Sequence, residues 1–156
     1  MTWCCCSATV NGVTPVHHAP GGHPGRNTMA EQTLYERLGG AYGIAGAVDV
    51  LVDRLFANAA VNANEAVHAH HGVAANAPGY KFLVTAWSIE ATGGPSCYPG
   101  QDMVKAHDEL RIDEAGFDAV ALEIAATLSH LGVPAAEHRE FMDIIESYRP
   151  QVVQAA

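Results

Sequence analysis

The sequence predicts an all-α protein, and three observations carry that prediction. No segment alternates apolar and polar residues with the period of two that a half-buried strand requires. Apolar residues instead recur three and four apart, as in Phe117, Val120, Ala121, Ile124 and Leu128, and again in Phe141, Ile144, Ile145, Tyr148 and Val152. Helix start and stop signals separate such stretches: Thr33 with Glu36 three places on, Thr92-Gly93-Gly94-Pro95, Asp113, and Gly132 with Pro134. No internal repeat is present.

Residues 1 to 28 are rich in Pro, Gly, His, Thr and Asn and show little apolar periodicity, so they read as a disordered extension. They lack the charged start and apolar run of a signal peptide. Met29 is the expected natural start, and the domain is expected over 29 to 156. Thr33 to Leu38 reads as a short helix with Thr33 as N-cap and Glu36 in capping-box position, ended by Gly39-Gly40. Residues 42 to 57 form the next helix, with Ile44, Val48, Leu51, Leu55 and Phe56 at helical spacing. Gly43 and Gly46 inside it lower helix propensity and leave room for a close neighbour.

Residues 58 to 78, rich in Ala, Asn and His, read as a loop with one helical turn. A helix from Tyr80 to Ala91 follows, with Leu83, Val84, Trp87 and Ile89 as its apolar members. Met103 to Leu110 read as a short helix carrying His107. Asp113 N-caps a long helix, with Ile112 before the cap and Phe117 inside it placed as a hydrophobic staple. Gly132 ends that helix, and one last helix runs through Val152.

A chain of 156 residues with 49% hydrophobic content supports one domain with a sizeable core. The formal net charge is −9, with 8 Lys plus Arg, which argues against nucleic acid and against anionic membranes as partners. No apolar run reaches the roughly 18 residues needed to span a bilayer. Cys4-Cys5-Cys6 and the lone Cys97 match neither a zinc ribbon nor a disulfide framework, so reduced thiols in a cytoplasmic protein are expected.

The candidate chemistry centres on histidine. His107 lies on a short helix between a glycine-rich turn and a new helix start, with apolar helices on both sides. Such an imidazole is how an all-α protein holds a haem iron. From the spacing alone an ordinary surface histidine on a short helix is the commoner case. His68, with His70 or His71, offers imidazoles for zinc or nickel, but no nearby Cys or well-spaced carboxylate completes a site. No phosphate loop, dinucleotide fingerprint or Ser-His-Asp ordering is present.

The ordered set Gly93-Gly94-Pro95, Tyr98, Gly100, Met103, Ala106-His107, Leu110, Ile112 and Phe117 resembles the proximal side of the group I truncated haemoglobins. The likeness extends upstream through TLYERLGG (33 to 40) and DVLVDRLFAN (49 to 58). Downstream it takes in FDAVALEIAATLSHLGVP and EFMDIIESYRPQVV, so that it covers about residues 30 to 154.

The resemblance implies a truncated (2-on-2) globin-like helical sandwich around a haem b. His107 is then the proximal iron ligand, and Met103, Ile112, Phe117, Val120 and Ile124 line the haem pocket. On the distal side the sequence departs from the family. The expected Phe-Tyr pair reads Leu51-Val52, so the tyrosine that donates to a bound gas is missing; the supporting glutamine is Val84. The phenylalanine pair of the following loop gives way to a longer NANEAVHAHHGV. Tyr80, His70 and His71 are the candidates to replace the distal donor or to occupy the sixth iron position. The function implied is binding of a diatomic gas, with oxygen transport or nitric-oxide detoxification as roles. A dioxygenase-like activity would need an external electron donor. The alternative is a six-coordinate haem for electron transfer or sensing. A monomer or weak homodimer is expected.

Overall fold

The computed structural model describes residues 32–154. The proposed tail, its Met29 start and Cys4 to Cys6 lie outside the described residues. Eight α-helices are described: α1 (Leu34–Arg37), α2 (Gly40–Ala57), α3 (Glu65–His71), α4 (Ala77–Ala91), α5 (Met103–His107), α6 (Glu114–His130), α7 (Ala135–Ser147) and α8 (Arg149–Val152). Short 3₁₀ turns link several of them, and no strand occurs among the described residues. None of the described helices is long and apolar enough to cross a membrane.

The caps read from the sequence are present. Thr33 Oγ1 accepts from the Glu36 amide and the Glu36 carboxylate accepts from the Thr33 amide, which closes the capping box of α1. Asp113 Oδ1 accepts from the Gly116 amide at 2.7 Å and starts α6. Ile112 and Phe117, on either side of that cap, are both buried in one core cluster.

Helix α2 is central, packing against α4 and α6, while α7 packs on α6 and α1. Its apolar residues divide into two stripes. Ile44, Val48 and Val52, four apart, form a cluster with Ile89 of α4. Leu51 and Leu55 join the larger core of Phe117, Ala121, Ile124, Leu128, Phe141 and Ile145. A residue pair such as Leu51-Val52 thus faces two different helices, as the 100° step per residue of a helix dictates. Gly43 is required at the entry to α2: a Cβ there would lie 2.1 Å from the Leu38 carbonyl oxygen. At Gly46 a Cβ would meet nothing within 4 Å, so the close approach expected at both glycines exists only at the first.

Three segments differ from expectation. Residues 58 to 78 are mostly helical rather than a loop, with 3₁₀ turns at Val61–Ala63 and Ala74–Asn76 flanking α3. Asn64 makes α3 possible, since its Oδ1 accepts from the Ala66 and Val67 amides. Helix α4 begins at Ala77 rather than Tyr80, because Pro78 falls in the first turn, where its missing N–H costs nothing. The last helix is broken at Tyr148. Pro150 has no N–H to continue the ladder, and the bonds restart with the Gln151 amide donating to Tyr148 O at 2.9 Å. Arg149 anchors the resulting α8: its guanidinium meets Glu114 at 2.7 Å, Asp118 at 2.8 Å and Glu146 at 2.8 Å, and lies 4.2 Å from the centre of the Phe117 ring.

One polar group clips α2 to α6. Glu123 accepts from Arg54 Nε and from Asn58 Nδ2, and its side chain is 14% exposed. The Arg54 hydrogen bond holds the Glu123 carboxyl below the usual carboxylate range, against the opposing effect of partial burial. A depressed folded-state pKa adds stability above the unfolded carboxylate pKa, and that stability is lost as the pH falls through the folded value. Glu123→Gln is therefore expected to destabilise the protein by about 1 kcal/mol at neutral pH. In urea titrations the gap between the two proteins should close as the medium becomes more acidic than the normal carboxylate range. A gap independent of pH would refute the assignment.

Candidate functional site

The turn before α5 is built to a fixed shape. Glu90 of α4 accepts from the backbone amides of Cys97 at 3.1 Å and Tyr98 at 3.0 Å, and the Tyr98 bond leads in holding its carboxyl below the ordinary range. The Tyr98 ring lies over Gly100, where a Cβ would come within 2.3 Å of it. Only glycine fits beneath that ring, which is the physical content of the Tyr98-Gly100 pair in the sequence. Asp102 then caps α5 by accepting from the Lys105 amide at 3.1 Å.

His107 is the last residue of α5 and is half-buried. Its Nδ1 lies 2.8 Å from the Met103 carbonyl oxygen, which only accepts, so Nδ1 carries the ring proton. When the ring is neutral the other nitrogen, Nε2, carries no proton, and its lone pair makes it the ring atom able to coordinate a metal. Of the predicted lining on this side, Ile112, Phe117 and Ile124 are buried in the larger core, with Met103 and Val120 packed against it.

The distal candidates gather in the other cluster. Val52 is fully buried, and Tyr80 and Val84 pack beside it with Phe56. His71 joins them: its ring stacks on Phe56 at 4.4 Å between centroids and meets Tyr80 edge-on at 5.4 Å. His70 and His68 are exposed, so the structure separates His71 from its two neighbours. Burial pushes the His71 imidazolium pKa down, aided by His70 and His68, so this ring is neutral.

The tautomer of His71 follows from Asn62. The Asn62 Nδ2 group donates to the carbonyls of Leu55 and Phe56 at 3.1 Å and Asn58 at 2.7 Å. Its Oδ1 therefore faces His71 Nδ1, 3.0 Å away, and Nδ1 must be the donor. His71 thus also presents an unprotonated Nε2. Tyr80 is the complement: burial raises its hydroxyl pKa, with Tyr98 adding to the shift, so it remains a phenol that donates. Sequence reasoning missed Asn62, because the amide orientation that selects the His71 tautomer depends on three carbonyls at the end of α2.

Two cavities lie near these residues. One of about 360 Å³ reaches Met103 and Tyr98 and is bounded by Trp87 and Tyr148, whose rings pack edge-on at 5.4 Å. The other, of about 460 Å³, lies between α2 and the α6–α7 turn and touches Leu51 and Ile124. His107 lines neither. Among the described residues no group of three or more His, Cys, Asp or Glu converges on a metal position; within HAHH, His71 is buried while His68 and His70 are exposed.

A model of the family "Bacterial-like globin" matches residues 33–154. A group 1 truncated hemoglobin of Tetrahymena pyriformis is 30% identical over 122 residues, which make up 78% of this chain and 95% of that relative. One from Synechocystis sp. is 33% identical over 107 residues, 65% of this chain and 80% of the relative. Among solved structures, the Fe(III) form of the T. pyriformis truncated hemoglobin is similar with TM-score 0.66 and 30% identity, covering 80% of this chain and 100% of that one. The cyanomet 2/2 hemoglobin from Synechococcus sp., with covalently attached heme, is similar with TM-score 0.69 and 27% identity over 78% of this chain and 98% of the other.

Proposed function

The chain belongs to the bacterial-like globin family, among the relatives of the group 1 truncated haemoglobins, and we propose on that premise that it holds one haem b through His107 and binds a diatomic gas. The observation that carries the reading is the His107 Nδ1–H bond to the Met103 carbonyl at 2.8 Å. It orients the ring, raises the basicity of Nε2 and leaves that nitrogen as the only strong donor on α5. The donor set fits a b-type haem, which needs a single imidazole and an apolar surround. When bound, the haem supplies an iron with a position open to oxygen, nitric oxide or carbon monoxide. Met103, Ile112, Phe117, Val120 and Ile124 would exclude water on the His107 side, and Val52, Val84 and Tyr80 on the other. Tyr80, kept protonated by burial, is the residue able to donate to the gas.

Nitric-oxide dioxygenation with an external electron donor extends the same reading, as does oxygen transport. The test is the absorption spectrum of the purified, reduced, haem-loaded protein. A strong near-ultraviolet band that moves on adding carbon monoxide is expected. Failure to take up stoichiometric hemin would overturn the proposal.

A second reading, a six-coordinate haem for electron transfer or sensing, is favoured by one observation. His71 is buried, neutral and bare at Nε2, so it can ligate but cannot donate to a gas from that nitrogen. The ferrous spectrum without added ligand is then expected to be low-spin, and His71→Ala to make it high-spin. A ferrous protein that is high-spin before the substitution removes this reading and leaves the first.

A further inference from the structure

The chain leaving His107 is held by two amide side chains from distant parts of the sequence. Helix α5 is only five residues long, and its end leaves carbonyls without partners inside the helix. The carbonyls of His107 and Asp108 both accept from Gln154 Nε2, at 3.0 and 2.8 Å. The Gln154 backbone amide donates to Ile112 O at 2.8 Å. Between these points, Asn64 Nδ2 donates to Leu110 O at 2.8 Å and Arg111 O at 3.4 Å. The segment needs such support, because Arg111 is held at φ 49°, a left-handed conformation that a side chain disfavours.

Gln154 is itself firmly placed. Val152, two residues earlier, is buried in the main core, and the Val153 amide donates to Arg149 O at 2.9 Å. Arg149 is bound in turn by carboxylates of α6 and α7.

We infer that Gln154 is a positioning residue for His107: by gripping the 107 and 108 carbonyls it sets where Nε2 points, and so the strength of the iron–imidazole bond. The inference rests on the reading of His107 as the iron ligand. The ring is fixed at two points, its own Nδ1 on Met103 O and its backbone carbonyl on Gln154. Releasing the second lets the 107–108 peptide rotate and carry the ring with it, while the helix packing around α2, α6 and α7 loses none of its contacts.

The test uses the full-length, haem-loaded protein. The iron–histidine stretching band is recorded by resonance Raman spectroscopy after photolysis of the carbon monoxide complex, which gives a five-coordinate iron whatever the resting ligation. Haem loss is followed by transfer to an excess of apomyoglobin. Gln154→Ala and Gln154→Glu are expected to broaden and lower the band, and to speed haem loss about tenfold, the effect of two weakened hydrogen bonds.

The same substitutions in a His107→Gly protein complemented with imidazole are expected to leave the band unmoved, because the ligand there has no backbone to grip. An unchanged band and rate in Gln154→Ala overturns the inference. So does an equal shift in the imidazole-complemented protein, which would mean that Gln154 acts through the fold at large. If His107→Gly without imidazole keeps the original band, the ligand assignment itself fails, and the inference with it. That outcome is read in a different protein from the other two.

Discussion

Replacing His107 by glycine is expected to abolish stable haem capture, and millimolar imidazole to restore it. The reason is the poverty of alternatives around α5. Among the described histidines, His68, His70 and His130 are exposed, and His138 lies on α7. Only His107 and His71 have a ring nitrogen committed to a hydrogen bond that leaves Nε2 bare. His71 lies in the cluster built by α2 and α4, with Tyr80 and Phe56, and so cannot replace a ligand on α5 without taking that cluster apart. Glycine removes the ring but preserves the backbone, so added imidazole can enter the vacated space. Hemin titration followed by absorbance checks the result. Stoichiometric haem retained by His107→Gly at undiminished affinity, with no imidazole present, would refute the assignment.

Placing a hydroxyl at position 52, on the far side of the proposed haem site from His107, should slow ligand escape. Val52 is fully buried, one helical turn beyond Val48 and beside Ile44 and Ile89, with Tyr80 and Val84 packed against it. Val52→Tyr introduces a donor of about 1–3 kcal/mol toward a bound gas, which should slow dioxygen escape about 5- to 150-fold. The added bulk enters a packed cluster and should lower stability by about 1–3 kcal/mol, a fall of several degrees in Tm. Stopped-flow displacement of dioxygen by carbon monoxide measures the first effect and thermal unfolding the second. Val52→Phe is the control, with similar bulk and no hydroxyl. If Val52→Phe retains dioxygen as long as Val52→Tyr does, bulk rather than donation is responsible. If neither variant slows escape, the donor is already present, and Tyr80→Phe should then accelerate it.

Much of this protein is legible in its sequence because local chemistry controls it. The capping box at Thr33 and Glu36, the Asp113 cap and the stop at Gly132 each depend on a few neighbouring residues, and each is present. The apolar spacing of α6 is a property of one helix and needs no partner to be read. The Tyr98-Gly100 pair and the Ala106-His107 pair stand at recognisable intervals, so the family was within reach of the sequence, and with it the expectation of haem.

What stayed hidden is what depends on contacts between distant residues. Alanine and asparagine content made residues 58 to 78 look like loop. They fold as helix because Asn64 caps α3 while its amide group is held at Leu110 and Arg111, 46 and 47 residues away. His70 and His71 are adjacent and chemically identical in sequence, yet only the second is buried, because Phe56 and Tyr80 enclose it. Its tautomer is chosen by an asparagine whose own amide is committed to the end of α2. Gln154 gave no signal at all, since its partners at His107 and Asp108 are 47 and 46 residues upstream. The sequence by itself determined the all-α class, the long helices with their caps, and the family, all set by spacing along single chain segments. The direction in which each imidazole presents its lone pair was decided by the tertiary structure alone, because a hydrogen bond depends on distance in space and not on separation along the chain.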